Sequence, residues 1–404
     1  MNVLSAMLVD SYRELNSKKL FWITMILSAL VVLVFLAIGL NERGLTISIP
    51  FKTFQVPFPI DSTVVPEELF LKQYFIQFGI GIWLAWIATV LALCTTAEMF
   101  PNMLSNGAID MMLSKPVRRL TIFGSRYLSG LLFTALQVFV FTFASFLVLG
   151  FKVGAWEPGL FIAVPVMVVF YSYLFGVCVL FGVLTRSTIA ALLLTLLVWF
   201  MLFIVHTVDS GMVGFKSLME ATQEQSSARV ETSEVLVERL ETRLEANKSE
   251  STPDQEAIAS LEQRLASAIE RRDGFQADAD DAAGNVKSLE KWHSITLGVK
   301  TVLPKTAETI MLLERWLVSS ASLDEVRENA RDQDDDDGSE TVTGDPELDL
   351  PSRGELQRSI EEEMQTKMVN TFRDRSPAWI IGTSLAFEFF ILGIAAWIFV
   401  RRDF

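Results

Sequence analysis

The chain has 404 residues, of which 51% are hydrophobic, and its formal net charge at pH 7 is −14. This combination excludes an ordinary soluble domain unless the apolar and charged residues belong to different segments. Residues 209–377 hold 20 of the 34 Lys and Arg and 37 of the 48 Asp and Glu, a net −17, which leaves the rest slightly basic at +3. The two properties are therefore segregated, and the acidic balance gives no reason to expect a nucleic-acid partner.

Six long runs in the sequence lack charge almost completely. A bilayer's hydrocarbon core requires about 20 apolar helical residues, and each run meets that length. The predicted spans are Leu20–Leu40, Gln73–Ala97, Tyr127–Phe151, Pro158–Thr185, Ser187–Val208 and Ser376–Val400. No small-residue cleavage site follows the first run, so we expect an anchor and not a secretory signal.

These runs predict an all-α polytopic membrane protein with three parts. Residues 1–208 would contain spans one to five, with a coupling segment at 98–126. Residues 209–377 would form a large extracytoplasmic helical insert between spans five and six, and residues 378–404 would contain span six and a tail.

The distribution of basic residues predicts the orientation, because short loops rich in Lys and Arg stay in the cytoplasm. With a cytoplasmic N-terminus, four basic residues fall outside: Arg43, Lys52, Lys72 and Lys152. Ten fall inside: Arg13, Lys18, Lys19, Lys115, Arg118, Arg119, Arg126, Arg186, Arg401 and Arg402. We therefore expect a protein of the cell's inner (cytoplasmic) membrane with both termini in the cytoplasm.

The longest predicted cytoplasmic loop, residues 98–126, has the pattern of an amphipathic helix. Apolar Met103, Leu104 and Ile109 alternate at helical spacing with polar residues, and Pro116 ends the pattern. A basic turn then leads into the third span. Such a segment suits either lipid headgroups or a protein that docks from the cytosol.

The run Gly107-x-x-x-x-x-Leu113-Ser114-Lys115-Pro116-Val117-x-Arg119 resembles the cytoplasmic segment of type-2 ABC transporter permeases. The similar subgroup contains the multi-copper enzyme maturation and nitrous oxide reductase maturation permeases. The resemblance also rests on the six spans and the tail Trp397–Asp403, and it covers roughly residues 1–208 and 290–404.

The resemblance implies that the segment 98–126 is a coupling helix that docks into a separate ABC ATPase subunit. The implied coupling residues are Glu98, Asn106, Gly107, Asp110, Ser114, Lys115, Pro116, Arg118 and Arg119. It also implies a second permease chain, identical or related, and contact with membrane lipid. The alternative for Lys115, Arg118 and Arg119 is that they only follow the charge bias of cytoplasmic loops.

The sequence has no G-x-x-x-x-G-K-[ST] phosphate-binding loop, so ATP and Mg would be bound by the partner ATPase and this chain would not be an enzyme. We expect no catalytic residue and no cofactor in it. Two His and two Cys are too few to predict a metal site. The run Asp332–Gly338 does not fit a calcium loop and is predicted to be a solvated loop.

Glu388 is the one acidic residue in the predicted spans, and an unpaired charge there would cost a few kcal/mol. One hypothesis places it in a translocation path or at a permease dimer interface. The other is a protonated carboxyl that is hydrogen-bonded between helices. The candidate partners, by composition, are Ser125, Tyr127, Gln137, Tyr171 and Tyr173.

The insert has three predicted sections. Heptad-like spacing at Val237, Leu240, Leu244 and again at Leu261, Leu265 predicts a coiled-coil hairpin over 216–290. Residues 292–319 are predicted to form two short amphipathic helices at the outer leaflet, and residues 321–354 a disordered acidic linker.

Two functions fit these features. The first is an ATP-driven exporter. The alternative is a mechanotransmission or scaffold permease whose coiled coil acts on an extracytoplasmic partner without substrate passage. A secondary transporter or channel fits less well, because the spans lack a basic partner for ion coupling.

Overall fold

The computed structural model describes residues 13, 16–41, 44–49, 52–56, 65–104, 118–249, 255–317, 364, 366–367, 370–371 and 373–401. Six helices in these ranges are long and apolar enough to cross a membrane, with mean hydropathy from 2.0 to 2.7. They fall where the sequence predicts spans. The prediction of a mainly helical chain with six apolar helices of membrane-spanning length is therefore confirmed.

The helices are α1 (Lys19–Ala37), α2 (Glu67–Tyr74), a π-helical stretch (Phe75–Ala88), α3 (Thr89–Thr96), α4 (Met99–Leu104), α5 (Arg119–Val153), a short 3₁₀ helix (Pro158–Ile162), α6 (Ala163–Thr185), α7 (Thr188–Lys248), α8 (Gln255–Val302), α9 (Thr306–Leu317) and α10 (Pro377–Arg401). Span two is the composite helix Glu67–Leu104.

A three-stranded antiparallel sheet departs from the predicted all-helical chain. Its strands β1 (Ile38–Asn41), β2 (Gly44–Ile49) and β3 (Lys52–Val56) pair in the order β1-β2-β3. Span one was predicted to reach Leu40, but the backbone becomes extended at Ile38 (φ −85°, ψ 135°). The cause is local: β2 alternates the apolar residues Leu45, Ile47 and Ile49 with polar ones, as a strand does, and Gly44 adopts φ 104° where the hairpin reverses.

The chain divides into two compact units. The first comprises Met1–Ile204, Val302–Thr341 and Pro377–Phe404, and the second comprises Val205–Thr301 and Val342–Ser376. Helix α6 lies at the centre of the first unit: 78% of its most apolar window is buried, against 22% for α1 and α10. It packs against α5, α9 and α10, so three separate parts of the sequence meet around one span.

Helix α9 is anchored to the last span by a buried lysine. Lys305 is 1% exposed, its Nζ donates a hydrogen bond to Thr383 Oγ1 at 2.6 Å, and this Nζ lies 4.2 Å from the centroid of the Trp379 ring. Its backbone N–H donates to Ser384 Oγ at 2.9 Å. Part of the predicted 209–377 insert thus packs with the membrane helices of the first unit.

The second unit contains two long helices in contact. Val237, Leu240 and Ala268 form a buried cluster, flanked by Leu236, Leu261, Leu265 and Ile269. These include Val237, Leu240, Leu261 and Leu265, four of the five residues from which the hairpin is predicted. Helix α7 continues through the predicted border at 208/209, and α8 continues to Val302, so the first of the two predicted short helices in 292–319 is the end of α8. The acidic linker 321–354 lies outside the described residues.

A close approach between α5 and α6 depends on Gly130. A Cβ atom at this position would lie 2.5 Å from Cε1 of Phe175, which is fully buried beside the rings of Tyr127 and Tyr171. Small residues permit such contacts between membrane helices. Because this ring is fully buried and stacks on two other rings, it has little freedom to move aside.

We expect Gly130→Ala to destabilise the protein by about 1–3 kcal/mol, since the added methyl group overpacks this contact. The measurement is the thermal unfolding midpoint of the purified chain in detergent. Gly124→Ala, on the same helix with no atom within 4 Å of the added Cβ, is the matched control and should not lower the midpoint. Equal midpoints for the two variants would contradict this packing.

Candidate functional site

The structure describes three of the nine predicted coupling residues: Glu98, Arg118 and Arg119. The other six, Asn106, Gly107, Asp110, Ser114, Lys115 and Pro116, lie outside the described residues. The amphipathic pattern over 103–113 is therefore described only at its start, in α4. The two flanks of this segment, Glu98–Leu104 and Arg118–Phe123, lie within the described residues.

The first flank is fixed by a polar contact to the start of span one. Lys18 Nζ forms an ion pair with Glu98 Oε2 at 2.9 Å and donates a hydrogen bond to the Thr95 carbonyl at 3.0 Å. The Glu98 side chain is 42% exposed, so solvent weakens this pair. The carbonyl bond adds a geometric restraint, and together they connect the end of span two to the beginning of α1.

Both flanks meet in a layer of buried aromatic rings. Phe100 on α4 is 1% exposed, and its ring centroid lies 5.2 Å from that of Phe123 on α5. Phe123 in turn lies 5.7 Å from Phe399 on α10. We call Phe100, Phe123 and Phe399 the aromatic layer. Aromatic pairs at such distances contribute about 0.5–1.5 kcal/mol each beyond the area they bury.

A fourth helix touches the same end of the unit. Pro101 Cδ would lie 3.4 Å from a Cβ atom placed at Gly182, near the end of α6. Arg118 adopts extended backbone (φ −66°, ψ 136°) directly before α5 begins, and Arg119 Nη1 donates a hydrogen bond to the Val400 carbonyl at 3.2 Å. The ends of spans two, three, four and six are therefore packed together around the two flanks.

Glu388 occupies a different site, between α5, α6 and α10. It is 5% exposed. Its Oε1 lies 2.6 Å from Tyr127 Oη, and its Oε2 lies 2.6 Å from Ser172 Oγ. Spans three, four and six are thus joined through one carboxyl group.

The hydroxyl contacts of Glu388 are compatible with a neutral carboxyl. Ser172 Oγ has one proton, and it is 2.8 Å from the Val169 carbonyl as well as 2.6 Å from Glu388 Oε2. If Glu388 carries a proton on Oε2, it donates to Ser172, which donates to Val169, while Tyr127 donates to Oε1. Every partner is then satisfied, as buried polar groups require. Because an ionised carboxylate in an apolar span costs several kcal/mol, and the neutral acid can form all of these bonds, we expect Glu388 to be neutral and to join the helices through hydrogen bonds.

The other predicted partners, Ser125, Gln137, Tyr171 and Tyr173, form no hydrogen bond to Glu388 in the described part of the chain. Tyr171 Oη lies 2.6 Å from Thr96 Oγ1, and Ser125 Oγ donates to the Ile122 carbonyl at 2.9 Å. Gln137 lines a cavity of about 10 Å³ together with Thr89 and Thr134, and its Nε2 has no hydrogen-bond partner in the described part of the chain. A space of that size holds about one water molecule.

The described residues contain no group of three or more His, Cys, Asp and Glu side chains that would hold a metal ion. Cys94 and Cys178 are free cysteines within span two and span four. The predicted solvated run Asp332–Gly338 lies outside the described residues.

Sequence reasoning missed two sets of residues. It named Tyr127 but not Ser172 as a partner of Glu388. Ser172 lies between Tyr171 and Tyr173, three consecutive residues with hydroxyl groups in an otherwise apolar span. It also took Asp209 as the start of the insert, whereas Asp209 is buried and bonded to Lys300 and Arg375. An isolated acid followed by apolar residues to Phe215 is the signal for such burial.

Comparisons with protein-family models, with curated proteins and with solved structures found no match to this chain.

The neutral role of Glu388 makes a stability prediction. Glu388→Gln should change the unfolding free energy by less than about 1 kcal/mol, because the amide can accept from Tyr127 and donate to Ser172. Glu388→Leu should cost about 1–3 kcal/mol, because it leaves a buried polar partner unsatisfied. Thermal unfolding in detergent measures both, with Phe389→Leu on the exposed side of α10 as the control. A Gln variant as unstable as the Leu variant would indicate a charged carboxylate.

Proposed function

We propose that this chain is the membrane-spanning permease subunit of an ATP-driven ABC exporter, and that it docks a separate ATPase through residues 98–126. The observation that carries the proposal is the aromatic layer, in which Phe100 and Phe123 hold both flanks of that segment. The six membrane-length helices and the resemblance of residues 107–119 support it.

The physical argument concerns transmission of force. A docking segment is useful only if its displacement moves the membrane helices and does not bend a flexible loop. Phe100 and Phe123 are buried and in mutual contact, and Phe399 joins span six to them. Because packed interiors resist compression, a push on the segment is passed to spans two, three and six together.

The proposal assigns the remaining parts to partners. ATP and Mg would be bound by the ATPase, since this sequence has no phosphate-binding loop. A second permease chain would complete the transporter in the inner membrane, with residues 98–126 and both termini on the cytoplasmic side. The charge bias of the short loops supports that orientation.

Deletion of Pro116–Val117 tests the docking role. The tagged chain should purify from its native membrane with ATP-hydrolysing activity, and the deletion should reduce that activity at least about tenfold, the loss expected when about 1.4 kcal/mol of an interface is removed. The measurement is nucleotide hydrolysis per mole of purified chain, together with mass spectrometry of the associated subunit.

Deletion of Gly338–Ser339, in the acidic linker, is the matched control and should leave the associated activity unchanged. The docking proposal would be wrong if the Pro116–Val117 deletion retained the same ATPase in the same amount. It would also be wrong if the chain, freed of every companion, hydrolysed ATP itself.

The mechanotransmission alternative is favoured by the length of the paired helices. Helix α8 has 48 residues and is therefore about 70 Å long, and it contacts α7 through the cluster of Val237, Leu240 and Ala268. A polar helix pair of this length would suit a lever that acts on an extracytoplasmic partner.

Removal of residues 216–290, replaced by a short Gly/Ser linker, separates the two functions while it keeps Asp209 and Lys300. An exporter should retain at least part of its ATP-dependent activity in cells that lack the native chain. A lever should lose that activity entirely although the ATPase remains bound. A replacement of the same residues by an unrelated helical hairpin of equal length controls for folding of the flanking helices.

A further inference from the structure

Asp209 is sealed inside the second unit by basic side chains from distant segments. It is fully buried, and its Oδ2 accepts hydrogen bonds from Lys300 Nζ at 2.6 Å and from Arg375 Nη1 and Nη2 at 3.1 Å. Lys300 is itself 3% exposed, and its Nζ lies 3.4 Å from His206 Nδ1. Breaking a buried pair of this kind costs several kcal/mol because it leaves an uncompensated charge.

Two contacts set the register between α7 and α8. Lys300 bonds to Asp209, and Thr296 Oγ1 lies 3.2 Å from Met212 Sδ. The helices therefore run antiparallel here, and residues 292–301 lie beside residues 208–216. On α7, residues 208–216 directly continue the uncharged run of span five, which ends at Val208.

The outward side of this pair is apolar. On α8, Trp292, Ile295 and Val299 are 63%, 54% and 53% exposed, and their spacing of three and four residues places them on one face. On α7, Val208 and Phe215 are 51% and 50% exposed. We call these five residues the apolar face.

The charges at this level show the opposite distribution. The stretches 205–215 and 292–301 contain two residues of the types Asp, Glu, Lys and Arg. These are Asp209 and Lys300, and both are buried. Earlier in α8, Glu270, Arg271 and Asp273 are exposed. On a surface that contacts water, charged side chains are usually exposed and large apolar ones buried. Here the charged side chains are buried and the apolar ones exposed, which is the distribution expected for a surface in contact with lipid.

From these observations we infer that residues 205–215 of α7 and 292–301 of α8 are embedded in the membrane leaflet that adjoins span five, where the apolar face contacts lipid. The sequence prediction was a pair of short amphipathic helices that lie at or dip into the outer leaflet, whereas in the structure residues 292–301 are the end of the long helix α8, alongside α7. It does not depend on docking of an ATPase.

The distances agree with this depth. Val208 to Phe215 is about 10 Å along a helix, and the headgroup region of one leaflet is about 5–8 Å thick. Trp292 is level with about residue 216, at the outer edge of that region, where Trp is enriched in membrane proteins. Exposed Lys287 and Lys291 follow on the aqueous side, where they would attract anionic headgroups.

Spin-label accessibility tests the inference on the full chain. With Cys94 and Cys178 replaced by Ala, single cysteines at 292, 295 and 299 are labelled in vesicles of phosphatidylethanolamine and phosphatidylglycerol. Power saturation then compares collisions with oxygen, which concentrates in lipid, and with a nickel chelate, which stays in water. At positions 295 and 299 we expect the label to collide more often with oxygen than with the chelate. At position 292 we expect the two collision rates to be nearly equal.

Ser267→Cys, exposed on the same helix, is the control and should favour the chelate. Chelate in excess at Ile295 and Val299 would overturn the inference. Low access of both reagents with dipolar broadening would also overturn it, because it would show a second copy of the chain on the apolar face.

The unsubstituted chain provides a second measurement in case a labelled variant fails to fold. In the same vesicles, a photoactivatable phospholipid should form adducts on the peptide that contains 292–301 and not on the peptide that contains 262–273. Adducts absent from 292–301, while the membrane spans are labelled, would contradict lipid contact at the apolar face.

Discussion

The position of the Phe175 ring is the constraint on which the first unit depends. It is fully buried on the central span α6 and stacks on Tyr127, with ring centroids 5.2 Å apart, and on Tyr171, with ring centroids 5.5 Å apart. Tyr127 carries the contact onward to Glu388 on span six, and Gly130 supplies the space that the ring fills. A single side chain thereby sets the separation of spans three and four and orients the carboxyl that joins span six.

This arrangement follows from the lipid surroundings of the helices. Within lipid, burial of apolar surface between helices gains little, because lipid tails are as apolar as the helices they replace. Close packing at small residues and hydrogen bonds must then supply the association. The Phe175 ring against Gly130 is the first kind of contact, and the bonds of Glu388 and of Thr96 with Tyr171 are the second. The aromatic layer adds a third, at the end where the proposed docking segment begins and ends.

The sequence predicts the six spans well because the length of an apolar run is a local property. The sheet at Ile38–Val56 was missed because it follows the apolar run without a charge at its border. The partner of Glu388 was only half predicted: Tyr127 and Ser172 are 261 and 216 residues away in sequence, so composition suggests candidates but not neighbours. The continuity of α7 through Asp209 was missed for the same reason, since Lys300 and Arg375 neutralise that acid from distant segments.

The insertion of span six shows why an intramembrane acid is tolerated before its partners arrive. The twelve Leu, Ile, Phe and Val residues of α10 contribute at most about 0.3–0.6 kcal/mol each, the value for the centre of a span, which gives an upper limit of about 4–7 kcal/mol. A central acidic residue costs about 3 kcal/mol on the same scale. The insertion free energy of the apolar residues can therefore offset the cost of Glu388. The bonds to Tyr127 and Ser172 then determine which face of α10 packs against α6. Its exposed face, with Phe389 and Phe390, is left to lipid or to a second chain.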